Sequence, residues 1–284
     1  MILITWNVQW CRGVDGRVDA ARIVASCGAM GDFDVLCLQE VARNFPGLAG
    51  SPGEDQVDAL ARLLPGFAPV PGMAVDTLAP DGTRRQFGNL ILSRLPVRQS
   101  LRHSLPWPPD PDVPSMPRVA VEAVLETRPG PLRVTTTHLE YYSPRQRTAQ
   151  VERLRELHAE AAAHAGDTVF PAKEGSPFET LPRPRSCVLT ADFNFGPAAP
   201  EYSRLQAPIA AGVPAFRDAW SIANRGRAHA PTVGLYDKVQ WPGEPFCCDF
   251  VFVTEDIASR VEAVSVDSGT QASDHQPVMV RLQE

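Results

Sequence analysis

Near the C-terminal end of the chain an acid and an imidazole stand side by side, Asp274-His275, in the segment Ser273-Asp274-His275-Gln276-Pro277 that runs into the apolar Val278-Met279-Val280. The pair points to hydrolysis. Successive side chains diverge on a strand, so both can lean into one cleft only where the chain turns into the strand. The chain also carries Thr5-Trp6-Asn7, Leu38-Gln39-Glu40, Thr137-His138-Leu139, Asp192-Phe193-Asn194 and Asp249-Phe250-Val251, each at or just beyond the end of an apolar, strand-like run. Taken singly these are ordinary. An Asp-His in a loop is commonly a solvated pair, Glu40 a solvent-exposed cap, Asp-x-Asn an Asx-turn, Asp249 a turn cap and His138 a structural histidine. Their recurrence is the signal: an apolar strand, then a side chain suited to chemistry.

The elements that must position them can be traced in order. Ile2-Leu3-Ile4-Thr5-Trp6-Asn7 reads as a buried strand that delivers Asn7 to a sheet edge, and Asp34 to Glu40 as a second, so Asn7 and Glu40 are expected to be neighbours. Between them, apolar residues at helical spacing predict a helix from about Arg17 to Gly31, and another is predicted from Gln56 to Leu64. A Pro/Gly-rich connection is expected through Pro71-Gly72, then a strand over Phe87 to Val97 that stops at a proline. Residues 106–117 hold too many prolines for a helix or central strand and predict a surface loop with Trp107 at its tip. Strands are expected at Arg118 to Glu126 and Leu132 to His138, the second rich in threonine. Ser143-Pro144-Arg145-Gln146 opens the clearest helix, with Ser143 as N-cap, Pro144 at the first helical position and Gln146 where a capping box would place it. Its apolar stripe is Val151, Leu154, Leu157 and Ala161, and Gly166 stops it. Residues 167–186 predict a long inserted loop. Cys187 to Asp192, Asp249 to Val253 and Val278 to Leu282 complete the strands.

Composition narrows the function. At 284 residues, with 44% hydrophobic and 21% charged residues, the chain is expected to fold as one large α/β domain, residues 1–284. A net charge of −6 argues against a broad basic surface for nucleic acid, whose affinity comes largely from Lys and Arg displacing counterions, although a locally basic groove stays open. The six cysteines show no CxxC pair and no zinc spacing, and several sit inside apolar runs as small hydrophobes. With no leader-like opening and no membrane-length apolar run, a cytoplasmic monomer is expected.

At Thr5-Trp6-Asn7, Gln39-Glu40, Gly88 to Arg94, Thr137-His138-Leu139, Ala191-Asp192-Phe193-Asn194, Asp249-Phe250-Val251 and Ser273-Asp274-His275, the chain resembles the endonuclease/exonuclease/phosphatase superfamily, which includes pancreatic deoxyribonuclease, abasic-site endonucleases, neutral sphingomyelinases, deadenylases and inositol polyphosphate 5-phosphatases. The resemblance spans residues 4 to 282. It implies a four-layer α/β sandwich, two facing mixed β-sheets flanked by helices, with the site at one end of the sheets. The strand and helix pattern suits such layered packing independently.

What the resemblance implies for individual residues follows the chemistry of phosphate esters. Glu40 becomes the principal ligand of Mg²⁺ or Mn²⁺, with Asn7 and Asp274 as companions, directly or through water. Asp249 orients His275, which stabilises phosphate charge or transfers a proton. Asp192 orients or deprotonates the attacking water, and Asn194 holds it or the phosphate. His138 matches the histidine that donates to the scissile phosphate in the deoxyribonuclease and sphingomyelinase branches. Asn89 and Arg118 match positions that back the site and face the phosphate. The set of two histidines favours diesters over monoesters. Departures bear on the substrate: where the abasic-site branch carries a tyrosine, the strand here offers only Thr135 to Thr137, and the basic residues that read inositol phosphates have no counterpart. Tyr141 and Tyr142 either line the pocket or pack the start of the following helix, packing being the role expected first. A lipid phosphodiesterase would need an apolar membrane-facing element, for which the Trp107 loop and Trp241-Pro242 are the candidates; Arg84-Arg85 and Arg145 with Arg147 are the candidates for contact with nucleic acid. A fold that kept its shape and lost its chemistry would lack one of Glu40, Asp192, Asn194, Asp274 or His275, and all are present.

Overall fold

The computed structural model describes residues 1–166, 175–179, 181 and 183–284. Its strands are β1 (Ile2–Asn7), β2 (Val35–Arg43), β3 (Ala68–Leu78), β4 (Arg84–Ser93), β5 (Val97–Ser104), β6 (Val119–Thr127), β7 (Gly130–His138), β8 (Cys187–Asp192), β9 (Phe216–Asp218), β10 (Asp249–Thr254), β11 (Val261–Val266) and β12 (Val278–Leu282). The helices are α1 (Ala20–Met30), α2 (Gln56–Leu63), α3 (Pro144–Gly166), α4 (Pro200–Gln206) and α5 (Ala219–Ala223). They build two six-stranded sheets, ordered β11-β12-β1-β2-β4-β3 and β5-β6-β7-β8-β10-β9. Each sheet holds one parallel pair, β1 with β2 and β7 with β8, and its other pairs are antiparallel. A parallel pair needs a crossover, and α1 and α3 supply it.

Alternation along the strands divides the core into three layers. Leu3, Val35, Cys37, Val121, Val134, Val188, Val251 and Val280 meet between the sheets. Ile4, Trp6, Leu36 and Leu38, on the opposite face of the same strands, are covered by Ile23 and Cys27 of α1 and Leu60 of α2. On the far side Val151, Leu154 and Leu157 of α3 cover Leu189, Ala191 and Phe252. The expected four-layer sandwich is therefore present, with six strands a side.

Polar side chains join the sheets towards one end of the sandwich. Gln39 Nε2 donates to Thr5 Oγ1 at 3.1 Å and, across the gap, to Thr136 Oγ1 at 2.8 Å, which also accepts from Thr190 Oγ1 at 3.0 Å. The threonines of β7 are thus buried hydrogen-bonding groups as well as strand formers. Elsewhere the sheets touch closely: a Cβ on Gly72 would lie 2.2 Å from Val121 Cγ2, so only glycine fits there.

Three expectations are corrected. Pro71-Gly72 is not a connection but lies in β3, an edge strand, where prolines are tolerated because one row of N–H groups has no partner strand. The strand predicted over Phe87 to Val97 is two: β4 starts at Arg84 and ends at Ser93, and Val97 opens β5. In α3 the N-cap holds, Ser143 Oγ accepting from Gln146 N at 3.1 Å, but no capping box closes, because Gln146 Nε2 donates instead to Pro108 O at 2.9 Å and ties the helix to the proline-rich loop. Of the loop predicted over 167–186, residues 167–174, 180 and 182 lie outside the described residues. Among the described residues no helix is long and apolar enough to cross a membrane.

Candidate active site

The registers converge the chemistry. β1 and β2 pair Asn7 with Gln39, β7 and β8 pair His138 with Asp192, and β8 and β10 pair Asp192 with Asp249. Both parallel pairs end at the same end of the sandwich, so Asn7, Glu40, His138 and Asp192 arrive together, and the chain entering β12 adds Asp274 and His275. Glu40 arrives through a bulge: Leu38 pairs with Leu90 and Val41 with Gly88, which leaves an extra residue on β2, and Glu40 takes φ 59°. Without it Val41 would follow Gln39 to the face between the sheets; instead Val41 packs in the helix-covered layer. Asn194 is likewise left-handed, φ 54°. Its N–H donates to Asp192 Oδ1 at 3.0 Å, an Asx-turn that aims both side chains into the cleft.

Side-chain contacts form one network. Asn7 Nδ2 donates to Glu40 Oε1 at 3.0 Å and to Asp192 Oδ2 at 2.9 Å, while Asn7 Oδ1 accepts from Gln9 N at 3.1 Å. Asp249 Oδ2 lies 2.9 Å from His275 Nδ1, and the other ring nitrogen, Nε2, is 3.7 Å from Asp192 Oδ2. His138 Nε2 is 3.4 Å from the same Asp192 oxygen and its Nδ1 is 3.8 Å from Glu40 Oε1. Asn194 Nδ2 donates to Leu139 O at 2.9 Å, which fixes the amide's orientation, and faces His138 Nε2 at 3.0 Å. His138 Nε2 therefore accepts and Nδ1 carries the proton.

Electrostatics set the two histidines apart. Burial alone would discharge His275, but the carboxylates of Asp249, Asp192 and Asp274 outweigh it and hold its pKa well above the usual histidine value. His138 is held well below that value by burial, reinforced by the charges of Arg118 and His275. The surroundings favour the charged form of His275 and the neutral form of His138. Glu40 is pushed up to about 7 by burial and then by Asp274. Asp192 is pushed up to about 6 by burial, with His275 opposing and Asp249 adding.

The cleft these groups floor is a cavity of about 630 Å³. Of the residues expected at the site, Glu40, Arg118, His138, Asp192, Asn194, Asp274 and His275 line it. Arg118 is buried, held by Glu140 Oε2 at 3.3 Å, and its Nη1 has no partner among the described residues. Asn89 does not line the cavity: its Nδ2 donates to Val119 O at 2.9 Å, fastening β4 to β6 across the sandwich. Asn7 and Asp249 sit behind the lining, holding Glu40, Asp192 and His275.

Other groups in the site were not expected there from the sequence, or were expected in another role. Gln240 Nε2 and Trp241 Nε1 both donate to Asp274 Oδ2 at 3.0 Å, from a loop without periodicity, and Thr232 Oγ1 accepts from Asp249 N at 3.2 Å. Of the two roles open to Tyr141 and Tyr142 the structure shows the pocket: they are 44% and 56% exposed and line the cavity, while Arg147 of α3 donates to the Glu140 and Tyr141 carbonyls and ties the segment to the helix. Arg147 is thereby spent on structure, as is Arg84, which pairs with Asp76 at 2.8 Å.

A divalent cation can be tested against these donors. Asp192 and Asp274 are buried carboxylates and Glu40 a partly buried one, raised by desolvation and then by Asp274, and their oxygens suit a hard cation. A second grouping, Asp192, Cys248, Asp249 and His275, brings its donor atoms within 4.8 Å of one another. It suits a hard cation less well, since burial and then Asp249 hold the Cys248 thiol well above its usual range and His275 Nδ1 is engaged by Asp249.

Comparison with known proteins agrees with the geometry. A solved endonuclease/exonuclease/phosphatase protein from Bacteroides vulgatus shares the fold at TM-score 0.67 and 17% identity, covering 99% of this chain and 98% of that one. A mannosyl-6-phosphatase from Bacteroides thetaiotaomicron gives TM-score 0.64 and 18% identity, covering 100% of both chains. D. rerio TDP2, solved with a single-strand DNA product, gives 0.63 and 18%, covering 100% of this chain and 99% of that one. No curated protein matches the chain. A sequence model described as the Endonuclease/Exonuclease/phosphatase family matches residues 4–275, from β1 to His275 itself, and the chain belongs to that family of phosphoesterases.

Proposed function

We propose that the protein is a Mg²⁺- or Mn²⁺-dependent hydrolase of phosphate esters, a phosphodiesterase in preference to a monoesterase, in which water attacks phosphorus in line with the departing oxygen. The observation that carries this reading is the pair of histidines flanking one carboxylate: His275 and His138 reach the same Asp192 oxygen at 3.7 and 3.4 Å, and their surroundings push their pKa values in opposite directions. A diester has one charge to stabilise and a leaving group to protonate, tasks that a cation and a neutral donor can share.

Glu40 and Asp274, with Asn7, are the residues that would hold the cation, Asn7 by turning the amide whose oxygen now faces Gln9 N. When bound, the ion polarises a phosphate oxygen as a Lewis acid and relieves the repulsion among the carboxylates. Asp192, with a pKa raised to about 6, is matched to take a proton from water near neutral pH. Asn194 holds the neutral His138 ring so that Nδ1–H can donate to a phosphate oxygen. His275, fixed by Asp249, presents its Nε2 proton to the charge that develops in the transition state. The unpartnered Arg118 Nη1 supplies a further donor beside the cleft.

Hydrolysis of bis(p-nitrophenyl) phosphate beside the p-nitrophenyl monoester tests this reading. Diester turnover is expected with Mg²⁺ or Mn²⁺, to vanish with EDTA and to return when the metal is restored. Turnover that survives EDTA contradicts the metal assignment, and exclusive monoester turnover contradicts the ester class.

A further inference from the structure

Eight of the sixteen residues that line the cavity are apolar or aromatic, and they are not scattered. On one side Phe45 and Phe87 meet at 6.5 Å between ring centroids. On the other, Tyr142 packs on Tyr141 at 4.8 Å, Tyr141 on Trp241 at 5.7 Å and Trp241 on His275 at 6.0 Å, so a chain of rings runs from the exposed rim to the cationic histidine. Permanent positive charge is sparse by comparison: Arg118 is the one arginine of the lining, and it already pairs with Glu140. The lining also carries the carboxylates of Glu40, Asp192 and Asp274.

These two facts point the same way. A substrate with several phosphates, or a long polynucleotide, draws its affinity from many cations, which this lining lacks. A flat uncharged ring instead gains from stacking and from burial between apolar walls, and any aromatic ring has a face to offer. We propose that the outer half of the cleft is a subsite for one flat aromatic ring on the ester group that stays on phosphorus, so that the preferred substrate is a phosphodiester of low charge whose retained group is aromatic. The inference rests on the phosphodiesterase reading and adds the chemistry of the ester group. The ring has two sources, an aryl alcohol or a nucleobase. Tyr141 and Phe45 supply the recognition, and their ring partners are Tyr142 and Trp241 for the first and Phe87 for the second, none of them a group assigned to the reaction.

Three esters with the same p-nitrophenolate leaving group test this: bis(p-nitrophenyl) phosphate, the p-nitrophenyl ester of thymidine 5′-phosphate, and methyl p-nitrophenyl phosphate. For the wild type, at least one of the two esters whose retained group bears a ring is expected to show a KM roughly tenfold or more below that of the methyl ester. Tyr141→Ala and Phe45→Ala are each expected to raise that KM several-fold while leaving kcat, and both constants for the methyl ester, within about twofold. Preference for the thymidine ester identifies a nucleobase and preference for the aryl ester a phenol-type ring. Equal KM values across the three esters, or plasmid DNA cleaved with a higher kcat/KM than either ring-bearing ester, overturns the subsite and leaves the phosphodiesterase reading standing. Failure to hydrolyse any of the three in Mg²⁺ or Mn²⁺ overturns the reading beneath it.

Discussion

Asp249 has no access to the cleft of its own; its effect passes through His275 Nδ1 at 2.9 Å. Removing its charge withdraws the first of the carboxylates that keep His275 protonated against burial. Asp249→Asn is therefore expected to lower kcat by about 10²- to 10⁴-fold, the range of a mispositioned acid or base, with a much smaller change in KM, as steady-state kinetics on a diester would show. Glu40 gives a second prediction at this scale. A carboxyl raised to about 7 is largely protonated at pH 6 and must lose its proton to bind a cation. Apparent Mg²⁺ or Mn²⁺ affinity should fall as pH drops below about 7, and calorimetric titrations near pH 6.5 in buffers of different ionisation enthalpy should report proton release on binding. Affinity independent of pH from 6 to 8 would remove Glu40 from the ligand set. The residue types at the strand ends were legible because each polar residue interrupts an apolar run. The asymmetry of the histidines was not, since it depends on Arg118, Asp249 and Asp192, which arrive from other strands.

Elements were legible where a local pattern decides them and obscure where a partner strand does. β1, β2, β8 and β10 are buried on both faces and read as short apolar runs, and α3 announces itself through Ser143 and Pro144. β3 hid behind Pro69, Pro71 and Gly72, because only its place at the sheet edge makes those residues tolerable. The bulge that swings Glu40 into the cleft is a property of the pairing with β4 and leaves no mark in β2 alone. The underside of α3 carries a further feature invisible in the sequence. His158 is buried, with Nδ1 2.6 Å from Arg133 Nη2 and Nε2 2.8 Å from Pro214 O, so the neutral ring accepts from the guanidinium and donates to the carbonyl. Burial and then the Arg133 charge depress its pKa to about 4 from the model-compound value of 6.5. The unfolded chain therefore takes up the proton first as pH falls. The stabilisation is fully present above pH 6.5 and is lost on descending towards pH 4, up to about 3 kcal/mol. Chemical denaturation of wild type and His158→Gln at pH 7.5 and 4.5 should show the wild type losing more stability than the variant over that interval; equal losses would contradict the neutral assignment.

Across the whole molecule, the two parallel strand pairs face each other at the centre of the sandwich and end on the same side, which is why Glu40 and His275, far apart in the chain, share one cleft. Trp6 Nε1 donates to His275 O at 3.0 Å and Ser273 Oγ to Asn7 O at 2.8 Å, so the first and last thirds of the chain are fastened at the site itself. The polar belt through Gln39, Thr136 and Thr190 lies directly beneath and keeps the sheets in register where the chemistry requires it. Position in the fold, more than any single motif, makes Asp192 central: it pairs with His138 and Asp249 in the sheet and accepts from Asn7. The most direct test is the rate of bis(p-nitrophenyl) phosphate hydrolysis in saturating Mg²⁺ by wild type and Asp192→Ala, with thermal unfolding recorded for both. The account predicts metal-dependent turnover by the wild type and a fall of at least about 10²-fold in kcat for a variant that still unfolds cooperatively. Undiminished turnover by a folded Asp192→Ala protein would contradict it.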